Sequence, residues 1–179
     1  MKTSPAGIAL IKHFEGCRLT AYLDGAGIAS IGYGHTAGVR MGDAITQEQA
    51  DKYLADELAM FEHGIAELVK VPVTQGQWDA LVSLTYNIGS GNLARSTLLK
   101  KLNTGDMDGC RREFPKWDMS AGVHVPGLLT RRMAEATMFA NATPVAAFPD
   151  APLLPPDPVP PKPSLLATIL NLLASLFRK

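Results

Sequence analysis

The sequence predicts an α+β fold, mainly α, with a small antiparallel hairpin lobe, a helical lobe and a long helix joining them. Three observations predict it. Residues 17–36 are punctuated by Gly25, Gly27, Gly32 and Gly34, the pattern of two or three short strands with tight turns. From Thr46 to Lys70, apolar side chains recur at Ala50, Tyr53, Leu54, Leu58, Phe61, Ile65, Leu68 and Val69, which are helical steps. Further helical runs fill 74–103 and 105–117.

Each element has a local reason. Ser4 is a good N-cap and Pro5 suits the first helical position, so a short helix is expected to run to Gly16. Ile8, Ile11 and the Phe14–Glu15 pair share one face of it. Thr46 and Gln49 form a capping box, and Pro72 stops the helix that follows. At about 24 residues that helix is roughly 36 Å long, enough to span two lobes. Gly64 marks an expected bend or break in it. Gln77–Gly89 reads as a buried helix ending at glycine, and Ser96–Asn103 as another. Gly105, Asp106 and Gly109 open a helix expected to continue through Arg111, Arg112, Phe114 and Trp117. Within these runs Asn87 reads as a structural amide bonded to nearby backbone, and Trp117 as a core residue ahead of a sugar-stacking one.

Composition narrows the function classes. Apolar residues make up 46% and charged residues 19%, within the globular range. Formal net charge is zero, which gives nucleic acid no basic face beyond the local pairs Arg111–Arg112 and Arg131–Arg132, so no nucleic-acid partner is expected. Cys17 and Cys110 are too few for a disulfide scaffold and read as reduced, partly buried thiols, with a bridge between them left open. No His, Cys and carboxylate cluster has zinc spacing, so neither metal nor cofactor is expected. The N-terminal apolar run is short and broken by Lys12, His13 and Glu15, which makes neither a signal peptide nor a spanning helix.

The chemistry concentrates between Phe14 and Thr36. Glu15 stands near a helix end against apolar neighbours, and both burial and the negative end of the helix dipole disfavour its charged form. Asp24 follows at the first turn, then Ser30 on the returning strand, then Gly32-Tyr33-Gly34-His35. One protonated and one ionised carboxyl beside a hairpin suit cleavage of a glycosidic bond.

Glu15-Gly16, Tyr22, Asp24, Gly27 and Ile31-Gly32-Tyr33-Gly34-His35-Thr36 together resemble the signature of the phage-type lysozymes, the endolysins that cut bacterial peptidoglycan. The resemblance runs from about residue 5 to 140. It includes Gln77–Gly89 and the run Gly127-Leu128-Leu129-Thr130-Arg131-Arg132-Met133-Ala134-Glu135. It implies a two-lobed lysozyme-like fold and a muramidase that hydrolyses the β-1,4 link between N-acetylmuramic acid and N-acetylglucosamine, with inversion. Glu15 is then the acid, Asp24 the ionised carboxylate, and Ser30 the hydroxyl that positions water. The family usually has threonine at this place, and serine lacks the methyl that restricts χ1. His35 reads as a structural partner at the lobe junction, and Arg131 or Arg132 as the arginine that pairs with Glu15. Two other readings stand beside this one. A lytic transglycosylase also uses a single acidic glutamate, and a membrane-active protein could use such a domain only to bind glycan.

Beyond about Asn141 the composition changes. Residues 144–163 hold nine prolines, the mark of an extended linker between a 1–143 catalytic domain and a 164–179 tail. At a helical step Leu165, Leu166, Ile169, Leu170, Leu172, Leu173, Leu176 and Phe177 share an arc, and Arg178 and Lys179 close the chain. About 24 Å of helix is too short to span a bilayer. The tail therefore reads as a membrane-surface helix, with docking on the domain or self-association as the alternative. A monomer is expected, held in the host cytoplasm and released to the cell wall through a membrane lesion made by another protein.

Overall fold

The computed structural model describes residues 1–141. The linker, the tail residues and the 143/144 boundary expected above lie outside the described residues.

The first helix, α1 (Pro5–Glu15), begins as expected: the Ser4 side chain accepts the Gly7 amide, and Pro5 opens the first turn. It packs against the helical lobe although the hairpin separates them in sequence. Both of its ends are tied to distant elements. Upstream, the Thr3 amide donates to Glu62 at 2.6 Å, and the Ser4 amide to Asp79 at 2.9 Å. Nearer its end, Lys12 donates to Asp51 at 2.8 Å. The approach to Asp79 is close enough that a Cβ on Gly7 would lie 2.7 Å from the carboxyl carbon, so only glycine fits there.

Strands β1 (Arg18–Leu23) and β2 (Ala29–Gly32) form the antiparallel hairpin, with Tyr22 opposite Ser30 and Leu23 opposite Ala29. The register shifts between Arg18 and Tyr22, and in that interval β1 turns to another partner. Thr20 bridges Ala44, the Ala21 amide donates to the Asp43 carbonyl, and the Ile45 amide to that of Leu19. This segment takes the place of the third short strand.

The connecting helix, α2 (Gln47–Leu68), starts at a complete capping box made by Thr46 and Gln49. Its 22 residues run for about 33 Å. Gly64 lies inside it without breaking it, one of the two outcomes expected there, because one glycine weakens a helix that packing supports without ending it. Helix α3 (Gln75–Ile88) is the hub of the helical lobe. Every residue from Trp78 to Tyr86 is buried, so the helix is enclosed on all sides. It packs against α1, α2, α4 (Ser90–Arg95) and most extensively α7 (Pro126–Ala140). Helix α5 (Thr97–Asn103) leads into α6 (Met107–Arg111).

The helix expected across 105–117 is in fact two pieces. α6 ends at Arg111 and a 3-10 turn covers Phe114–Trp117, since Pro115 lacks the amide that a continuous helix needs. Phe114 is in the core and Trp117 packs half-buried against it. A two-residue hairpin, β3 (Met119–Ser120) with β4 (Val123–His124), turns through Ala121 and Gly122 and was not foreseen from the sequence. Asn87 is half-buried but makes no side-chain hydrogen bond among the described residues, unlike the role expected of it. Both cysteines are free; Cys17 is exposed, and Cys110 is buried with its thiol pushed up to about 12 by burial first and by Asp106 next. Among the described residues no helix is long and apolar enough to cross a membrane.

Candidate active site

Glu15 is the last residue of α1, and its side chain is 2% exposed. The partner that the sequence left open is Arg131. Its Nη1 donates to Glu15 Oε1 at 2.9 Å. The rest of that guanidinium is fixed as well: Nε donates to Glu135 Oε1 at 3.1 Å, and Nη2 to the Ser83 carbonyl at 3.1 Å. Its face lies 5.8 Å from the centre of the Phe14 ring. Burial alone would lower the pKa of Arg131, but the charges of Glu15 and Glu135 overcome it and hold it above the usual value.

Arg132 does not take Glu15. It turns to Glu135, donating from Nη2 to Oε1 at 3.1 Å. Its Nε lies 3.0 Å from Oε2 of the same carboxylate, an ion pair without hydrogen-bond alignment. Glu135 Oε1 also receives the Ser83 hydroxyl at 2.7 Å. Glu135 and Ser83 were not among the expected site residues. The signal was present in the arginine-to-glutamate spacings of three and four residues, which put all three side chains on neighbouring parts of one helix face.

The hairpin holds Asp24 by other means. The carboxylate sits at the β1–β2 turn, where Oδ1 accepts the Ala26 amide at 2.9 Å and the Ile28 amide at 2.8 Å. Oδ2 has no hydrogen-bond donor among the described residues. Ser30 is buried on β2, and its hydroxyl donates to the Ile28 carbonyl at 3.3 Å, a long contact that a competing acceptor could replace. Tyr22 lies within electrostatic reach of both carboxylates. It faces Ser30 across the hairpin, and its hydroxyl is held above the ordinary range by burial first, then by the charges of Glu15 and Asp24, with Arg18 opposing. Tyr22 was read from the sequence only as part of the motif.

His35 lies at the lobe junction. Nδ1 meets Glu57 Oε1 at 2.8 Å and Nε2 the Ala37 carbonyl at 3.0 Å, while the ring stacks on Tyr53 with centroids 4.3 Å apart. Tyr86 of α3 donates to the other oxygen of Glu57 at 2.7 Å. A buried carboxylate on α2 thus ties the hairpin's Gly-Tyr-Gly-His turn to the hub helix. Burial, and then Glu57, push the Tyr86 hydroxyl well above its ordinary value. No group of three or more His, Cys, Asp or Glu side chains among the described residues could hold a metal ion.

A buried glutamate at the end of α1, held by an arginine of α7, joins the first motif of the sequence to the last. Residues 12–135 match the family model for phage lysozyme. This chain belongs to the phage lysozyme family. It is 45% identical over 146 residues to an endolysin of Acyrthosiphon pisum secondary endosymbiont phage 1, covering 79% of this chain and all of that one. It is 40% identical over 144 residues to an endolysin of Salmonella phage P22, covering 78% and 98% of the two chains. Among solved structures it is similar to the endolysin from Escherichia coli O157:H7 phage FAHEc1. There the TM-score is 0.75 and the identity 40%, over 80% of this chain and 96% of that one. As a phage lysozyme the chain is a glycoside hydrolase, with the mainly helical, two-lobed fold of that family.

Proposed function

We infer that this phage lysozyme is an endolysin that lyses bacterial cells by cleaving the β-1,4 bond between N-acetylmuramic acid and N-acetylglucosamine. Peptidoglycan is its substrate. Glu15 acts as the general acid, giving its proton to the departing glycosidic oxygen. Asp24, in its wetter turn, is the carboxylate that stabilises the positive charge that develops at the anomeric carbon. Ser30 helps orient a water on the opposite face, so the product inverts. The observation that carries this assignment is the setting of Glu15: a buried carboxyl ion-paired to Arg131, beside a tyrosine within electrostatic reach of both Glu15 and Asp24.

The direct test is digestion of purified peptidoglycan by the native protein and by Glu15→Gln, read by mass spectrometry of the muropeptides. Reducing-end products from the native protein, and a loss of roughly 10²- to 10⁴-fold in the variant, are expected. Anhydro products, one water lighter, would mean transglycosylation instead. Equal activity in both proteins would remove Glu15 from the site.

The remaining parts of the reading concern how the enzyme reaches its substrate. It acts as a monomer, accumulates in the host cytoplasm and crosses to the cell wall through a lesion made by another protein. The 164–179 tail engages a membrane surface or lipopolysaccharide through its leucine face and its Arg178–Lys179 end. Its deletion should abolish liposome or lipopolysaccharide binding and leave hydrolysis of purified peptidoglycan intact. Lipid binding that survives the deletion would refute the role of the tail.

A further inference from the structure

Arg132 and Glu135 have no part in the acid and water chemistry above, yet both are fully buried in α7. Stability is a poor explanation for them. Replacing a buried ionic cluster by apolar groups is often neutral or stabilising. Arg132 is also badly satisfied: its Nη1 has no acceptor among the described residues, and its Nε is misaligned on Glu135. Burial pulls its pKa down to about 10, against the opposing charge of Glu135, so it still carries its charge at neutral pH. What the pair does have is a path to the site. Glu135 Oε1 takes Nε of the same guanidinium that gives Nη1 to Glu15.

We propose that Arg132 and Glu135 are positioning residues that govern, through Arg131, whether Glu15 carries its proton at the pH of the reaction. The proposal rests on the reading of Glu15 as the acid. Arg131 alone favours ionised Glu15, which is the wrong form for an acid. Glu135 draws on the same guanidinium and offsets that pull, and Arg132 in turn offsets Glu135. Arg131, Arg132 and Glu135 together leave one net positive charge facing Glu15. Without Glu135 there would be two, and without Arg132 none.

Other titratable groups stand on the elements packed around Glu15, and they are the same in the native protein and in the variants below. On α1, Lys12 is engaged by Asp51, and His13 meets Phe14 edge-on. On the hairpin, Arg18 lies 4.4 Å from the centre of the Tyr22 ring, and Asp24 is held by backbone amides. Tyr22 and Tyr86 are kept neutral by burial, and Glu57 of α2 is taken up by His35 and Tyr86. Ser83 on α3 is uncharged.

The test is the pH profile of peptidoglycan hydrolysis at low substrate for Arg132→Met, Glu135→Gln and the double variant, with folding checked by circular dichroism. The limb on the alkaline side reports loss of the proton from the acid. Arg132→Met should move that limb up, and Glu135→Gln should move it down, each by on the order of one pH unit. The double variant should return near the native position. A purely structural role would lower activity at every pH and leave the limb in place, and that result, or shifts of the same sign in both single variants, would overturn the proposal. Should Glu135→Gln not fold, the direction of the shift in Arg132→Met decides alone, since that change removes a poorly satisfied buried group. Glu15→Gln in the same assay separates the two ideas. Activity retained there defeats the acid reading itself, whereas an inactive Glu15→Gln with an unmoved limb in Arg132→Met defeats only this proposal.

Discussion

The helical lobe and the hairpin lobe each position one carboxylate, and they do so by opposite means. Glu15 is buried and held by side-chain charge from a helix 116 residues away in sequence. Asp24 is partly exposed and held by two backbone amides within four residues of itself. The first arrangement fixes position through a buried network of charged side chains from α1 and α7. The second fixes position through the turn alone and leaves one oxygen open. Glu15 is thus set among buried charges and Asp24 among backbone donors, so the two carboxylates answer to different forces.

The largest expected effect is on the side-chain network. Arg131→Met should remove the link between Glu15 and Glu135 and leave buried charge without its main partner. A loss of about 3–5 kcal/mol is expected, measured by urea unfolding. A loss below about 1 kcal/mol would mean that the network does not support the fold. Asp24→Asn tests the other arrangement. The amide oxygen can still accept both backbone donors, so stability should hardly change, while hydrolysis falls by roughly 10²-fold. Unfolding of that variant would show that the charge itself holds the turn.

A smaller effect is expected at Gly27, which has φ of 76° and open space where a Cβ would stand. Gly27→Ala should cost about 1–2 kcal/mol from backbone strain alone, and thermal unfolding would measure it. The smallest concerns Glu113, held below the usual carboxylate range by Lys101 at 2.5 Å and Lys116 at 2.8 Å. Its folded pKa is lower than its unfolded value near 4.5. Its contribution is therefore present above that value and lost as pH falls through the folded pKa. Glu113→Gln should flatten the fall in stability with acid relative to the native protein, measured as unfolding midpoints between pH 5 and roughly pH 2.

The legibility of the sequence follows the range of the interactions. Caps, glycine turns and apolar spacing act over a few residues, so Ser4, Thr46 with Gln49, the β1–β2 turn at Asp24 and the long helix α2 could all be read directly. The motif order likewise points to Glu15, Asp24 and Ser30 as the proposed site residues. The break at Pro115 was also local, but the apolar run through Phe114 and Trp117 masked it. The β3–β4 hairpin escaped because two-residue strands have too little periodicity to register.

What the sequence determined by itself is the fold class, the family, the first hairpin and most of the helices, since these depend on nearest neighbours and on motif order. Only the tertiary structure decided that α1 belongs to the helical lobe, that Arg131 and not Arg132 meets Glu15, and that Glu135 and Ser83 complete the cluster. Adjacent arginines on a helix point in directions about 100° apart. Which of them reaches α1 depends on how α7 is rotated against α3, and that rotation is set by packing across the whole lobe.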